Sequence, residues 1–192
     1  MAADDDIAVF DLEYTSWEGA YQRDWSGPGE HQEIVQIGAV KLDGGKELRE
    51  IGNFEILVRP SINPRLSDYF TGLTGITQDD VDRDGAAYGE ALAAFAEFLG
   101  AETRAVYSLG TDFQIIEINC ALNHVECPFD AGLFHNIRPF ICSVLGSDEK
   151  TTYSSDLPVL FGFPAPENRH QARDDSRCIA ESLRILRKQG KF

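Results

Sequence analysis

Ile7-Ala8-Val9-Phe10-Asp11-Leu12-Glu13 is a short apolar run that closes on two carboxylates. Four consecutive apolar residues fit a buried central strand that delivers its first polar groups at its carboxyl end. Side chains two apart on a strand point to the same side, so Asp11 and Glu13 can share one hard cation. A D-x-E triplet alone is common, and its plainer reading is a solvated strand end.

Working outward, residues 14–31 are rich in Gly, Trp and charge and read as a loop. Residues 34–42 resume as a strand, Asp43-Gly44-Gly45 is a hairpin turn, and residues 47–58 return as a third strand. Beyond Pro60, residues 66–71 and 78–81 read as short helices, the second led by Thr77 as N-cap with Asp80 three residues on. Leu92, Phe95, Ala96 and Leu99 recur at helical spacing through residues 88–99, and Gly100 ends that helix. There follow a strand over 105–109, a helix over 112–123, a fifth strand over 133–137 and a short helix over 141–145. Ser154 or Ser155 caps a further short helix ending at Gly162, and residues 172–188 form a long terminal helix. A meander followed by strands alternating with helices predicts an α/β fold, a mixed five-stranded sheet with helices on both faces.

A chain of 192 residues, 43% of them hydrophobic, is long enough for one domain around one core, over about residues 6–187. No run approaches the length of a membrane span, and residues 1–6 are acidic rather than basic, so a cytoplasmic protein with no signal or transit peptide is expected. Cys120, Cys127, Cys142 and Cys178 lack C-x-x-C pairing and read as buried free thiols rather than a zinc site or disulfide framework. The net charge of −15 and pI of about 4.5 argue against broad wrapping of duplex DNA or an anionic membrane. Nucleic acid gripped at one end is still compatible, because bound cations provide local positive charge where acidic side chains cluster.

Two further elements join the D-x-E pair. Asp112 stands just after a predicted strand at the start of a helix, where an ordinary helix-favouring acid would also stand. In His170-Gln171-Ala172-Arg173-Asp174-Asp175, His170 precedes a helix and Asp175 lies on its first turn, so an imidazole and a carboxylate can face one pocket. Ala172 is small enough for close passage of the chain, and Asp174 reads as a solvated acid on the helix's other side. For His31, His124 and His135 the surface-loop reading is preferred.

With Asp11-Leu12-Glu13, Asp112 and His170 to Asp175 in this order, the sequence resembles the DEDDh exonucleases of the ribonuclease H-like superfamily, over about residues 6–186. Val58-Arg59-Pro60, Ile62-Asn63, Leu66-Ser67-Asp68, Leu73-Thr74-Gly75-Ile76-Thr77-Gln78 and Asn136-Ile137-Arg138 are most similar to the histone-mRNA and RNA-interference-regulating exoribonuclease group and its bacterial relatives. Two departures are Tyr14-Thr15 after the first motif and Gly110-Thr111 before Asp112, where an aromatic residue is common.

The resemblance implies a ribonuclease H-like fold and 3′-to-5′ hydrolysis that releases nucleoside 5′-monophosphates with two Mg²⁺ or Mn²⁺ ions per site. It makes Asp11 the shared metal ligand, gives Glu13 and Asp175 to the first ion and Asp112 to the second, and makes His170 the general base. It points to Leu73 and Thr74 as contacts for the terminal base and sugar, the alternative being a helix-ending turn with a buried leucine. Tyr14 is either a base-stacking or a core tyrosine, and Arg138 is a phosphate contact. Arg184, Arg187, Lys188 and Lys191 read as a solvated helix end rather than an RNA track. The partner implied is a single-stranded 3′ end, RNA in preference to DNA, with a protein partner of unknown identity available to add affinity. A DNA proofreading-type exonuclease is the enzymatic alternative. A non-catalytic binding module would need a lost catalytic residue, and none is missing.

Overall fold

The computed structural model describes residues 6–166 and 170–192. Strands β1 (Asp6–Tyr14), β2 (Ile34–Leu42), β3 (Glu50–Leu57), β4 (Thr103–Ser108) and β5 (Phe134–Asn136) make one sheet in the order β3-β2-β1-β4-β5. β1–β2 and β2–β3 are antiparallel, whereas β1–β4 and β4–β5 are parallel, which gives the mixed sheet expected from the pattern. The helices are α1 (Asp68–Thr74), α2 (Gln78–Asp84), α3 (Tyr88–Leu99), α4 (Asp112–Leu122), α5 (Arg138–Leu145), α6 (Leu157–Phe161) and α7 (Ala172–Lys188).

The apolar run of β1 is continuous because both faces of the strand are covered. Ala8, Phe10 and Leu12 point into a core with Leu92 and Phe95 of α3 and Ile116 of α4. Ile7 and Val9 alternate with them and pack with Val40, Leu42 and the α7 residues Ile179, Leu183 and Leu186. β1 is thus the centre of the molecule, and what it carries at its far end is held from both sides.

That far end keeps both acids on the strand, as their spacing at i and i+2 requires. The ladder of β1 runs past its apolar residues through Asp11 opposite Gly38 and Glu13 opposite Gln36, with an irregularity between Glu13 and Tyr14. Pairing is made by the backbone, which is indifferent to the change from apolar to acidic side chains. The hairpin connection is longer than Asp43-Gly44-Gly45. Arg49 donates its backbone and guanidinium N–H groups to the Asp43 carboxylate, and β3 starts only at Glu50.

Several helix ends follow their local signals. The Thr77 hydroxyl and the Asp80 carboxylate complete a capping box on α2, and Ser67 caps α1 by accepting from the Phe70 N–H. α5 starts at Arg138, earlier than expected, with Pro139 in its first turn where the missing N–H costs nothing. The Ser154–Asp156 segment is a 3-10 turn leading into α6. Cys120, Cys142 and Cys178 are buried free thiols, while Cys127 is only half-buried. Among the described residues no helix is long and apolar enough to cross a membrane.

α7 crosses β2 with no room between them. A Cβ on Gly38 would lie 2.0 Å from Arg173 N and 2.3 Å from Ala172 C, both backbone atoms that cannot rotate away. Gly38→Ala is therefore expected to cost at least the upper end of the about 1–3 kcal/mol usual for overpacking. Thermal melts would read this as about 2–4 °C per kcal/mol for a domain of this size, and an unchanged melting temperature would contradict the contact.

Candidate active site

The carboxyl-terminal half of β1 forms the floor of a cleft of about 720 Å³ lined by Asp11, Glu13, Asp112, His170 and Asp175. The three motifs are spread from Asp11 to Asp175 along the chain and meet because each sits on or beside an element that packs against β1. Asp11 and Glu13 stand on β1 itself, and Asp112 is the first residue of α4, directly after parallel strand β4. Asp175 is in the first turn of α7 and only 2% exposed.

The start of α7 is fixed by a side-chain network. Gln36 of β2 accepts from Ala172 N at 2.9 Å through Oε1 and donates through Nε2 to Gln171 Oε1 at 3.2 Å. Gln171 Nε2 in turn donates to the Thr74 carbonyl at 2.7 Å, tying the end of α1 to the His170 segment. The Ser176 hydroxyl reaches the Gly38 carbonyl at 3.0 Å and the Ala172 carbonyl at 2.7 Å. His170 itself has a left-handed backbone, φ 56°, a costly conformation that persists where surrounding structure imposes it and is concentrated at functional sites.

The electrostatics of the cluster follow from this crowding. Burial lifts the Asp11 carboxyl well above the usual carboxylate range, and the charges of Asp112, Asp175 and Glu13 lift it further, against the opposing pull of Arg138. Glu13 is raised well above its ordinary value by burial and then by Asp175 and Asp112. Burial also raises Asp112, while hydrogen bonds from the Ser108 hydroxyl and its own backbone N–H, and the Arg138 charge, act in the other direction. One ligand atom each from Glu13, His170 and Asp175 lies within 4.8 Å of the others. Oxygen-rich donors that repel one another when ionised are the set a hard divalent cation would satisfy, so the residues fit such an ion.

The other expected contacts divide. Tyr14, Leu73 and Arg138 line the cleft, and Arg138 Nη2 is anchored on the Leu109 carbonyl at 2.6 Å. Thr74 departs from the expectation: its side chain is buried, donating to the Phe70 carbonyl at 3.0 Å and accepting from Ile76 N at 3.1 Å. Its hydroxyl completes the end of α1 instead of facing the cleft. Asp174 faces away from the cluster toward Arg177, at 3.5 Å. Arg184 bonds the Leu48 carbonyl and Arg187 lies over the Phe192 ring, and neither lines the cleft. Sequence reasoning missed Tyr21, Trp25, Tyr69 and Tyr153, which do line it. The available signal was two tryptophans and a tyrosine, Trp17, Tyr21 and Trp25, in a segment too rich in Gly and charge to be core.

The RNase_T family, described as Exonuclease, matches residues 8–183. 3′-5′ exoribonuclease 1 of Rattus norvegicus is 30% identical over 192 residues, covering 95% of this chain and 53% of the relative. The chain thus spans about half the length of the exoribonuclease relatives it matches. DNA polymerase III PolC-type of Clostridium perfringens is 27% identical over 188 residues, covering 98% of this chain and 12% of the relative. The crystal structure of the nuclease domain of 3′hExo, a DEDDh family member, bound to rAMP, superposes with a TM-score of 0.83 at 27% identity, covering 97% of this chain and 93% of that one.

Proposed function

The chain belongs to the DEDDh 3′-to-5′ exonuclease family, and on that premise we propose that it releases nucleoside 5′-monophosphates one at a time from single-stranded 3′ ends of RNA. The observation that carries the reading is the convergence of Asp11, Glu13, Asp112, His170 and Asp175 on one cleft. The chain acts in this reading as a single exonuclease domain with its core over about residues 6–187, in the cytoplasm.

Family membership implies divalent metal ions, which we assign as two Mg²⁺ or Mn²⁺ per site. When bound they supply positive charge that offsets the scissile phosphate and the charge developing on the leaving oxygen. Asp11, whose carboxyl feels the charges of Asp112, Asp175 and Glu13, would be the shared ligand. Glu13 and Asp175 would hold one ion with it and Asp112 the other. His170 takes the proton of the attacking water, a role an imidazole fills because it titrates near neutral pH. Arg138 places a fixed cation beside Asp11 and Asp112, suited to a phosphate oxygen. Leu73 and Tyr14 offer the surfaces against which the terminal nucleotide packs.

RNA is favoured by the likeness to 3′-5′ exoribonuclease 1 and to a nuclease domain that bound rAMP. The PolC-type relative keeps a DNA-directed exonuclease as the second reading. Rates on matched single-stranded RNA and DNA of one sequence, with Mg²⁺ and with Mn²⁺, separate the two. The proposal expects faster loss of the RNA; faster loss of the DNA would transfer the assignment to the DNA-directed reading.

A further inference from the structure

The most exposed aromatic side chains among the described residues are Tyr21 (53%), Tyr69 (43%) and Tyr153 (40%), and all three line the cleft that holds the carboxylates. Exposed apolar residues scattered singly need no explanation, but exposed aromatics gathered around one cleft do. Tyr69 comes from α1, one turn before Leu73, which serves the terminal nucleotide in the reading above. Tyr21 and Tyr153 come from elsewhere and make a second aromatic surface, one more than a terminal nucleotide uses.

This second surface is built rather than incidental. The loop over residues 15–33 is closed at its base by Thr15 N–H donating to the Glu33 carbonyl at 2.8 Å and Glu33 N–H donating to the Thr15 hydroxyl at 3.0 Å. Inside the loop, Trp25 Nε1 donates to the Thr15 carbonyl at 2.9 Å, which fixes the indole. Trp25 then packs against Tyr14 with centroids 5.4 Å apart, and Tyr21 meets Trp25 edge-on at 6.3 Å. Tyr21 also meets Tyr153 edge-on at 6.2 Å, and the Tyr153 hydroxyl donates to the Lys150 carbonyl at 3.2 Å. A chain of rings thus runs from beside the carboxylate floor to the 3-10 turn at Ser154–Asp156, with Lys150 lining the cleft close by in sequence.

We propose that Tyr21 and Tyr153, braced by Trp25, form a stacking subsite for bases upstream of the terminal nucleotide, with Lys150 meeting the intervening phosphate. The chemistry is that of single-strand nucleic-acid sites, where aromatic faces hold successive bases without reading their identity and a cation follows the backbone. Such a surface also compensates for the chain's net charge of −15, since stacking does not depend on global electrostatic attraction. The subsite rests on the nuclease reading and extends it from the terminal nucleotide to the strand that follows.

The test compares wild type with Tyr21→Ala, Tyr153→Ala and the corresponding Phe variants on two substrates. One is a short 5′-labelled ribo-oligonucleotide; the other is the p-nitrophenyl ester of a nucleoside 5′-monophosphate, which occupies only the terminal position. The Ala variants are expected to lose about 5- to 150-fold in kcat/KM on the oligonucleotide, mostly through KM, as loss of stacking on one base implies. Their ratio of oligonucleotide to ester activity should fall by the same factor, and the Phe variants, which keep the ring, should stay near wild type. Wild-type KM on the oligonucleotide in both Ala variants, or an equal loss on both substrates, would overturn the subsite. If wild type cleaves neither substrate, it is the nuclease reading that fails. Anisotropy of the same labelled oligonucleotide then judges the subsite, and equal affinity for wild type and the Ala variants would overturn it.

Discussion

Asp11→Asn is expected to lower kcat by about 10³-fold or more while raising the melting temperature of the metal-free protein. The activity loss follows from the shared position of Asp11: several kcal/mol of transition-state charge stabilisation depend on the ions it would hold, at about 1.4 kcal/mol per tenfold in rate. The stability gain follows from the same position. Asp11, Glu13 and Asp112 all have carboxyls raised by burial, with mutual repulsion adding to it for Asp11 and Glu13. A carboxyl whose folded pKa exceeds its unfolded value contributes stability that is complete in acid and is lost as pH rises through the folded pKa. At neutral pH the metal-free cluster therefore works against the fold, and an amide at position 11 removes both one charge and one source of repulsion. Each kcal/mol relieved should appear as about 2–4 °C in a melt recorded with chelator. Mn²⁺ or Mg²⁺ should stabilise the wild type and do so less in the variant, as binding to the folded state alone requires. A lower metal-free melting temperature in Asp11→Asn would contradict the electrostatic account even if activity were lost.

His170→Asn carries the second large effect, a fall in kcat of about 10²- to 10⁴-fold, the usual range for losing a general base. Asparagine is the informative replacement because it tolerates the left-handed backbone that His170 adopts, whereas alanine would add strain of its own. The imidazole also lies close enough to Glu13 and Asp175 to be a metal ligand, so the experiment must separate the two roles. A base predicts that kcat falls while the Mn²⁺ concentration needed for half-maximal activity stays near wild type, with partial recovery as pH rises and hydroxide replaces the missing base. A ligand predicts that the Mn²⁺ requirement rises and that excess metal restores the rate. The second pattern would reassign His170.

Much of the architecture is legible from local pattern. α3 spans residues 88–99 and α7 spans 172–188, as their apolar spacing implies, because long periodic segments carry the strongest signal. The five acid and histidine positions could be picked out because their order along the chain is distinctive, even though each alone has an ordinary explanation. What escaped reading was set by pairs of elements. The role of Gly38 depends on how closely α7 crosses it. Thr74 faces inward because a helix end needed its hydroxyl, a choice invisible until Phe70 and Ile76 are placed. Tyr21 and Tyr153 lie more than a hundred positions apart, and their contact is a property of the tertiary fold alone.

The most direct test of the central claim is a time course of 5′-labelled single-stranded RNA with Mg²⁺ or Mn²⁺, wild type beside Asp11→Asn. The account predicts a ladder that shortens from the 3′ end, release of nucleoside 5′-monophosphates, and an intact substrate with the variant. A folded wild-type protein that degrades nothing with either metal, or a variant that degrades RNA as fast as wild type, would contradict it.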